Sequence, residues 1–308
     1  MSGIFSSFRE SIARPAATTL VAVDGEIWRV SAPSLDEFKP TLGADEYFGI
    51  LSKIESAAAV ARLACVSSEF TAAVGAWRAE TQTLCMESLP IDDNQLRRLL
   101  DIMPHVTSLD LGGCRGLTSD GIVMAVLTVR LLQRLILTGT AIDAHGFAQL
   151  WTSLPNLTAI DADGCDELTE LDACLLASPR GGAPAGAIVS LSIAGCHELT
   201  GRGDVTSLCR ACGASLTALD ASGYDDLDAH SLSVIGAACP SLRRLRLAEA
   251  ERVGDDALLT LVESCPDLRV ADVSWCSALT THSVVTLALR CSCLQVMAAD
   301  CDSIAASR

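Results

Sequence analysis

The sequence predicts an α/β solenoid, in which parallel strands line a concave face and helices cover a convex face. Two observations support this prediction. A leucine-rich segment recurs along the 308 residues at separations of 25 to 31 residues. Each copy joins a strand-like L-x-L pair to about ten residues of helical apolar spacing. Because one such unit cannot bury its own apolar face, the units must stack side by side, which gives a curved horseshoe.

Each copy reads L-x-x-L-x-L-x-x-C, and the eight copies begin at Val106, Leu132, Leu157, Ile188, Leu216, Leu242, Leu268 and Leu294. A fainter ninth copy precedes them, with Leu84 and Met86 as its strand residues. The period of two in a strand directs Leu109 and Leu111 inward and Asp110 outward. Polar residues that can cap the following helix stand at Thr118, Thr200, Asp228 and Thr280.

The fourteen cysteines follow the same period. Four come directly after strands and four directly precede the next copy: Cys114, Cys165, Cys196 and Cys276, then Cys212, Cys239, Cys265 and Cys291. No secretory signal is recognisable, so we expect reduced thiols that pack as small hydrophobic groups. Cys209 and Cys212 form a C-x-x-C that would suit zinc, but the repeat already explains Cys212. We therefore predict no metal and no cofactor.

At these residues the sequence resembles the leucine-rich repeat family, in its cysteine-containing, ribonuclease-inhibitor-like subtype with 26-residue repeats. The resemblance implies a solenoid that presents protein-binding surfaces. The chain departs from the pattern where Thr140, Tyr224 and Ala250 replace the cysteine that follows the strand. The longest separation contains SPRGGAPAGA at 178–187, which we interpret as a flexible loop inserted between two repeats.

The segment before the repeats resembles an F-box. Its apolar pattern, which ends in RLACVSSEF, is matched at Leu42, Asp45, Ile50, Ile54, Val60, Leu63, Val66 and Phe70. The resemblance implies that these residues dock on the Skp-type adaptor of a cullin-based ubiquitin ligase, while the repeats hold the substrate. Gly43, Ser67 and Phe70 depart from the usual Pro, Cys and Trp. A plain helical cap over the first repeat is the alternative.

Three regions follow: an N-terminal extension at 1–39, the F-box-like segment at 40–80 and the repeats at 81–308. Asp24-Gly25 between two apolar runs predicts a hairpin within the extension. The first fifteen residues carry one apolar side of a possible short helix, which packs or binds a partner. They also faintly resemble a mitochondrial presequence, although Glu10 argues against it.

Composition excludes two classes of partner. A formal charge of −16 and a pI of about 4.6 would repel a nucleic acid backbone. The longest apolar run, 122–127, falls far short of the ~18 residues that cross a bilayer. We expect no nucleic acid partner, no membrane partner and a cytoplasmic location, with the nucleus or mitochondrion as open alternatives.

The outward residues of successive strands predict the partner-binding face. The concave column, which is the outward residue between the two inward positions of each copy, comprises Asp110, Ile136, Asp161, Ser192, Asp220, Arg246, Asp272 and Ala298. Flanking positions add Asp163 and Asp300, with Arg134 and Arg244 as basic interruptions. Such a face favours a protein with a basic segment, and a solvated face without function is the alternative. Trp275, close to a strand end, is a candidate anchor for the partner.

No motif for catalysis is recognisable, and none of the five histidines lies in a nucleophile or metal motif. We therefore expect no enzyme activity and no catalytic residue. The leading hypothesis is a substrate-recognition subunit of an SCF-type (Skp-cullin-F-box) ubiquitin ligase. The alternative is a scaffold subunit of a large axonemal, mitochondrial or ribonucleoprotein assembly.

Overall fold

The computed structural model describes residues 20–23, 26–29, 82–101, 103–169, 171, 188–199, 204–224, 227–290 and 295–297. The chain divides into two compact units, Met1–Thr81 and Gln82–Arg308. In the first unit β1 (Leu20–Val23) pairs antiparallel with β2 (Glu26–Arg29), which confirms the predicted hairpin. The eight F-box-like residues, the start of the extension and the loop at 178–187 lie outside the described residues.

The second unit is an α/β leucine-rich repeat solenoid, as the sequence predicts. One sheet holds nine parallel strands in chain order among the described residues. They are β3 (Thr83–Cys85), β4 (Ser108–Asp110), β5 (Arg134–Ile136), β6 (Ala159–Asp161), β7 (Ser190–Ser192), β8 (Ala218–Asp220), β9 (Arg244–Arg246), β10 (Val270–Asp272) and β11 (Gln295–Met297).

Helices connect successive strands on the other side of the sheet. They are α1 (Asp93–Asp101), α2 (Ser119–Val126), α3 (Ala144–Ser153), α4 (Asp204–Cys212), α5 (Ala229–Ala238), α6 (Asp255–Ser264) and α7 (Thr281–Arg290). Among the described residues, each helix lies between two successive strands, and those strands run parallel. Among the described residues, no helix has the length and apolar character needed to span a membrane.

The inward residues form the core. Leu109 pairs with Leu135 in register, and both are fully buried. Leu84 and Met86 are 2% and 3% exposed, which confirms the fainter ninth copy. Because burial of a leucine side chain contributes about 1.5–3 kcal/mol, each strand adds to the stability of the strand beside it. Helices complete this core with their own buried faces, such as Leu258 of α6.

The register of the last strand differs from the sequence prediction. Asp272 lies opposite Met297, so the prediction that Ala298 continues the concave column was wrong by one residue. The eighth copy has one residue fewer between Leu294 and Cys301 than the other copies have. Strand pairing follows backbone hydrogen bonds, and a shift of one residue exchanges the two faces of a strand.

The cysteines that follow the strands form a second ladder inside the solenoid. Each Sγ donates to a backbone carbonyl of the preceding repeat: Cys114 to Met86 at 3.0 Å, Cys165 to Leu137 at 3.2 Å, Cys196 to Ala162 at 3.1 Å and Cys276 to Leu247 at 3.1 Å. Burial raises the pKa of Cys165 to about 11 and that of Cys196 to about 12. These thiols therefore stay protonated and act as donors that join one repeat to the next.

Candidate functional site

The concave column is continuous in the structure. Its members are the third residues of the described strands, which pair in register from Cys85 and Asp110 at one end to Arg246 and Asp272 at the other. Neighbouring strands in a sheet lie about 4.8 Å apart, so adjacent members of the column are in contact range. The sheet therefore brings together residues that lie 25 to 31 positions apart in the sequence.

The aspartates of the concave column are more deeply buried than side chains on a solvated face would be. Asp161, Asp220 and Asp272 are 7%, 3% and 6% exposed. Their neighbours on adjacent strands cover them, a proximity that sequence spacing does not reveal. The other predicted binding residues are more accessible: Asp110 and Arg134 are half-buried and Arg244 is exposed, while Asp300 lies outside the described residues.

Arg246 connects two of these carboxylates. Its Nη1 lies 3.3 Å from Asp220 Oδ2, and its Nε lies 3.3 Å from Asp272 Oδ2. Burial raises the pKa of Asp220, although the Arg246 guanidinium opposes that shift. The predicted basic interruption is therefore an internal bridge that neutralises the carboxylates on either side of it.

A second pair of acids carries no such bridge. Asp161 and Asp163 lie at the end of β6, where Thr138 Oγ1 donates to Asp161 Oδ1 at 2.9 Å. Ser192 Oγ and the Ala194 backbone N–H, the latter at 2.9 Å, donate to Asp163 Oδ1. Burial and then repulsion from Asp161 raise the pKa of Asp163 to about 7. At neutral pH this carboxyl therefore holds a proton in a large share of the molecules.

The column reads Asp–Ser–Asp–Arg–Asp from β6 to β10. Arg246 stands between Asp220 and Asp272, and Ser192 stands in the equivalent position between Asp161 and Asp220. Within the part of the chain that the structure describes, no lysine or arginine pairs with Asp161. We call the position of Ser192 between Asp161 and Asp220 the serine interval. Like Arg246, Ser192 has a column aspartate on each side, but its side chain carries no positive charge.

Acids at the helix starts behave differently. Asp143 caps α3, where its Oδ1 accepts from Gly146 N–H at 2.7 Å and from Ser119 Oγ at 2.8 Å. Although burial opposes the shift, these hydrogen bonds lower the pKa of Asp143. Asp255 also has a lowered pKa because Thr280 of the next repeat donates to it from both its hydroxyl and its backbone N–H, again against the effect of burial.

Trp275 lies in the turn that follows β10, and it is 52% exposed. Its φ is +66°, a left-handed conformation that disfavours bulky side chains. Glu249, which occupies the same place in the preceding repeat, has a φ of +66° and is also exposed. Sequence reasoning missed Glu249. The signal was available, because glycine fills this place in the five repeats before it.

Two clusters of side chains contain residue types that can bind a metal ion. Cys85, Glu87 and Asp110 place three ligand atoms within 4.8 Å of one another, whereas structural zinc sites use four ligands. Cys85 Sγ instead lies 3.7 Å from Asp110 Oδ2 as a hydrogen-bond donor. The thiols of the C-x-x-C, Cys209 and Cys212, are 0% and 1% exposed within the core. Their surroundings fit packing between repeats.

No protein-family model and no curated protein sequence matches the chain. Among solved structures, human trophoblast glycoprotein, also called 5T4, is similar with a TM-score of 0.51 at 17% identity, over 73% of this chain and 77% of that one. The leucine-rich repeat-containing protein LegL7 of Legionella pneumophila gives 0.43 at 18% identity, over 63% and 65%. Rad7, solved in yeast as a complex of Rad7 and Elc1, gives 0.38 at 15% identity, over 85% and 92%.

These similarities concern the fold. The chain spans just under two thirds of the length of LegL7, at 65%. Together with the parallel sheet and its helices, the similarity to trophoblast glycoprotein shows that the second unit has the fold of an α/β repeat solenoid.

Proposed function

We propose that the chain is a non-enzymatic recognition subunit of an SCF-type ubiquitin ligase. In this proposal the concave face of the repeats binds a basic segment of a substrate protein. The F-box-like residues of the first unit, such as Leu63, dock on a Skp-type adaptor. Ubiquitin transfer itself belongs to the partner subunits.

The serine interval is the observation that carries the binding role. Asp161 is 7% exposed and lies beside the half-buried Asp163, whose charged form is disfavoured by exclusion from water and by the Asp161 carboxylate. Repulsion from Asp161 raises the free energy of ionised Asp163 in the folded chain, and a bound cation would offset that repulsion. An incoming lysine or arginine would supply the missing cation, as Arg246 already does one interval further along.

Neighbouring carboxyls are also used in acid–base catalysis. Here the Oδ1 atom of each carboxyl accepts hydrogen bonds from neighbouring residues. Asp161 Oδ1 accepts from Thr138 Oγ1 and from the Asp163 N–H. Asp163 Oδ1 accepts from Ser192 Oγ and from the Ala194 N–H. The pair is held in place by its neighbours as part of a face. That setting suits recognition of a cationic side chain, so we propose binding and no reaction.

The adaptor role is tested by co-purification of the full-length chain from extract of its own cells. We expect the chain to capture a Skp-type adaptor, and Leu63→Asp to abolish that capture while the repeats unfold at the same temperature. Leu63→Met is the matched control and should retain the adaptor. Equal adaptor recovery with Leu63→Asp would contradict the ligase role. Stoichiometric co-sedimentation with one large particle would favour the scaffold alternative.

The binding role of the concave face is tested by filling the serine interval. Ser192→Arg places a guanidinium between Asp161 and Asp220, so we expect it to weaken capture of a basic partner about 10-fold or more. Gln149→Arg, on the exposed side of α3, adds the same charge away from the sheet and should leave capture unchanged. Equal loss in both variants would show that only net charge matters.

A further inference from the structure

The turn after each strand imposes one backbone conformation on a single residue. This exit-turn position is five residues after the first residue of the strand, and its φ lies between +59° and +71° in eight successive repeats. Its N–H continues the ladder between repeats, as in Gly223 N–H to the Ala248 carbonyl at 2.7 Å. The position is filled by Ser88, Gly113, Gly139, Gly164, Gly195, Gly223, Glu249 and Trp275.

Glycine is the residue that this conformation favours, because a side chain in the left-handed region crowds its own backbone. A Cβ added at Gly139 or Gly164 would meet no atom within 4 Å, whereas one at Gly113 would meet Ser88 Oγ at 2.8 Å. A side chain at this position therefore strains the backbone, and at Gly139 and Gly164 it would find no neighbour to pack against. Backbone strain of this kind persists where a side chain serves a function.

Glu249 and Trp275 occupy adjacent exit turns. The Glu249 N–H donates to the Ser274 carbonyl at 2.9 Å, which joins the two turns directly. Both residues are exposed, and within the described part of the chain the Glu249 carboxylate has no ion-pair partner. The chain thus presents a large indole and an unpaired carboxylate on neighbouring strained positions of one rim.

We propose that Glu249 and Trp275 form a seat for an arginine side chain of the partner protein. An indole face attracts a guanidinium through its quadrupole, and a carboxylate beside it accepts two parallel hydrogen bonds. Arginine fits both groups at once because it is planar and forked, whereas lysine is a compact and strongly hydrated point charge. The formal charge of −16 on the whole chain favours the approach of such a cation.

This inference rests on the proposed function only in that a protein partner is bound. It specifies one side chain of that partner and one pair of receiving residues, at the strand ends beyond the concave column. Its test uses a defined peptide, so a failure to capture an adaptor or substrate from cells does not decide it.

The probe is the peptide acetyl-Gly-Gly-Arg-Gly-Gly-amide, titrated into full-length protein whose four tryptophans carry 15N in the indole ring. Citrulline in place of arginine gives a neutral peptide of nearly the same shape. We expect the Trp275 indole signal, assigned by its loss in Trp275→Gly, to shift saturably with the arginine peptide. The citrulline peptide should leave that signal unchanged, and a lysine peptide should bind about 3-fold more weakly or worse.

Two substitutions separate recognition from folding. Glu249→Gln removes the charge while it keeps the shape, so it should weaken the arginine peptide about 5-fold. Trp275→Gly should abolish the response and raise the Tm by about 2–4 °C, because it relieves the backbone strain. Gly139→Ala is the matched control for strain, and it should lower the Tm by a similar amount.

Two results would overturn the proposal. One is a Trp275 signal that ignores the arginine peptide or responds equally to citrulline. The other is a marked fall in Tm for Trp275→Gly, which would make the indole a packing residue. If that glycine variant fails to fold, the peptide titrations on the wild type and on Glu249→Gln still decide the question.

Discussion

Aspartates at the helix starts and aspartates on or beside the concave column meet opposite electrostatic environments within one solenoid. Asp143 and Asp255 accept hydrogen bonds from backbone N–H groups and hydroxyls, which lower the pKa of both carboxyls against the effect of burial. Exclusion from water raises the pKa of both Asp163, which is half-buried beside Asp161, and Asp220, which is buried and whose shift the Arg246 guanidinium opposes. The first group thus stabilises the fold at neutral pH, and the second group destabilises it.

This difference teaches where to look for function in an acidic repeat protein. A helix start offers donors and a favourable dipole, so an acid there needs no further explanation. In the column, strand neighbours lie about 4.8 Å apart, and the aspartates from β6 to β10 alternate with Ser192 and Arg246. Arg246 forms ion pairs with Asp220 and Asp272, the column aspartates on either side of it.

Loss of the Arg246 bridge should have the largest effect. Arg246→Ala leaves two buried carboxylates without their cation, which we expect to reduce the free energy of unfolding by about 3 kcal/mol at neutral pH. Acidification to about pH 5 should recover part of the loss, because protonation removes the repulsion. Urea unfolding at both pH values measures this. Arg243→Ala, at an exposed position just before β9, is the control and should change stability by less than about 0.5 kcal/mol.

Neutralisation of Asp163 should stabilise the protein. The unfolded carboxyl ionises near pH 4, whereas folded Asp163 keeps its proton up to about pH 7. Wild-type stability therefore falls across that window as the pH rises, and Asp163→Asn, which does not titrate, should avoid the fall. We expect a gain of about 2 kcal/mol at pH 7.5 that vanishes near pH 4.

The matched control for that experiment is Asp166→Asn, an exposed turn residue three positions away. Unfolding curves at several pH values should separate the two variants. If Asp163→Asn loses stability at pH 7.5, the carboxylate contributes more through its hydrogen bonds with Ser192 and Ala194 than it loses by burial. The comparison between the two groups of acids would then fail.

Removal of a helix-start acid should have a smaller effect with the opposite sign. Asp143→Ala removes the cap of α3, which we expect to reduce the free energy of unfolding by about 1 kcal/mol at pH 7. Because the folded pKa of Asp143 is lowered, its contribution is present above the unfolded pKa of about 4 and is lost as the pH falls below it. The variant and the wild type should therefore converge in acid. A loss that persists at about pH 2 would assign the effect to packing.

Repeat period and strand alternation predicted most of the fold. They located the inward leucines, the ninth copy at Leu84 and the cysteines that join repeats, because these features depend on spacing along the chain. The same reasoning misplaced Ala298, since one missing residue shifts the pairing of β11. It also assigned the F-box-like residues, which lie outside the described residues and stay a prediction.

The sequence predicted which residues belong to the candidate site, but not how those residues interact. Asp161, Asp220 and Asp272 were placed on the correct face, but their burial depends on neighbours that enter the sheet from other repeats. The serine interval and the Arg246 bridge arise because strands 26 to 31 residues apart pair in register. The strain at Glu249 and Trp275 is likewise visible only once the exit turn fixes φ.

By itself the sequence determined a solenoid, its inward rows and the column of outward residues, because periodicity along the chain is the physical cause of stacking. The tertiary structure decided which acids are paired, which are protonated near neutral pH and which side chains strain their backbone. Those outcomes depend on distances between atoms of different repeats and on how far water is excluded from them. Residue spacing in a linear chain carries neither quantity.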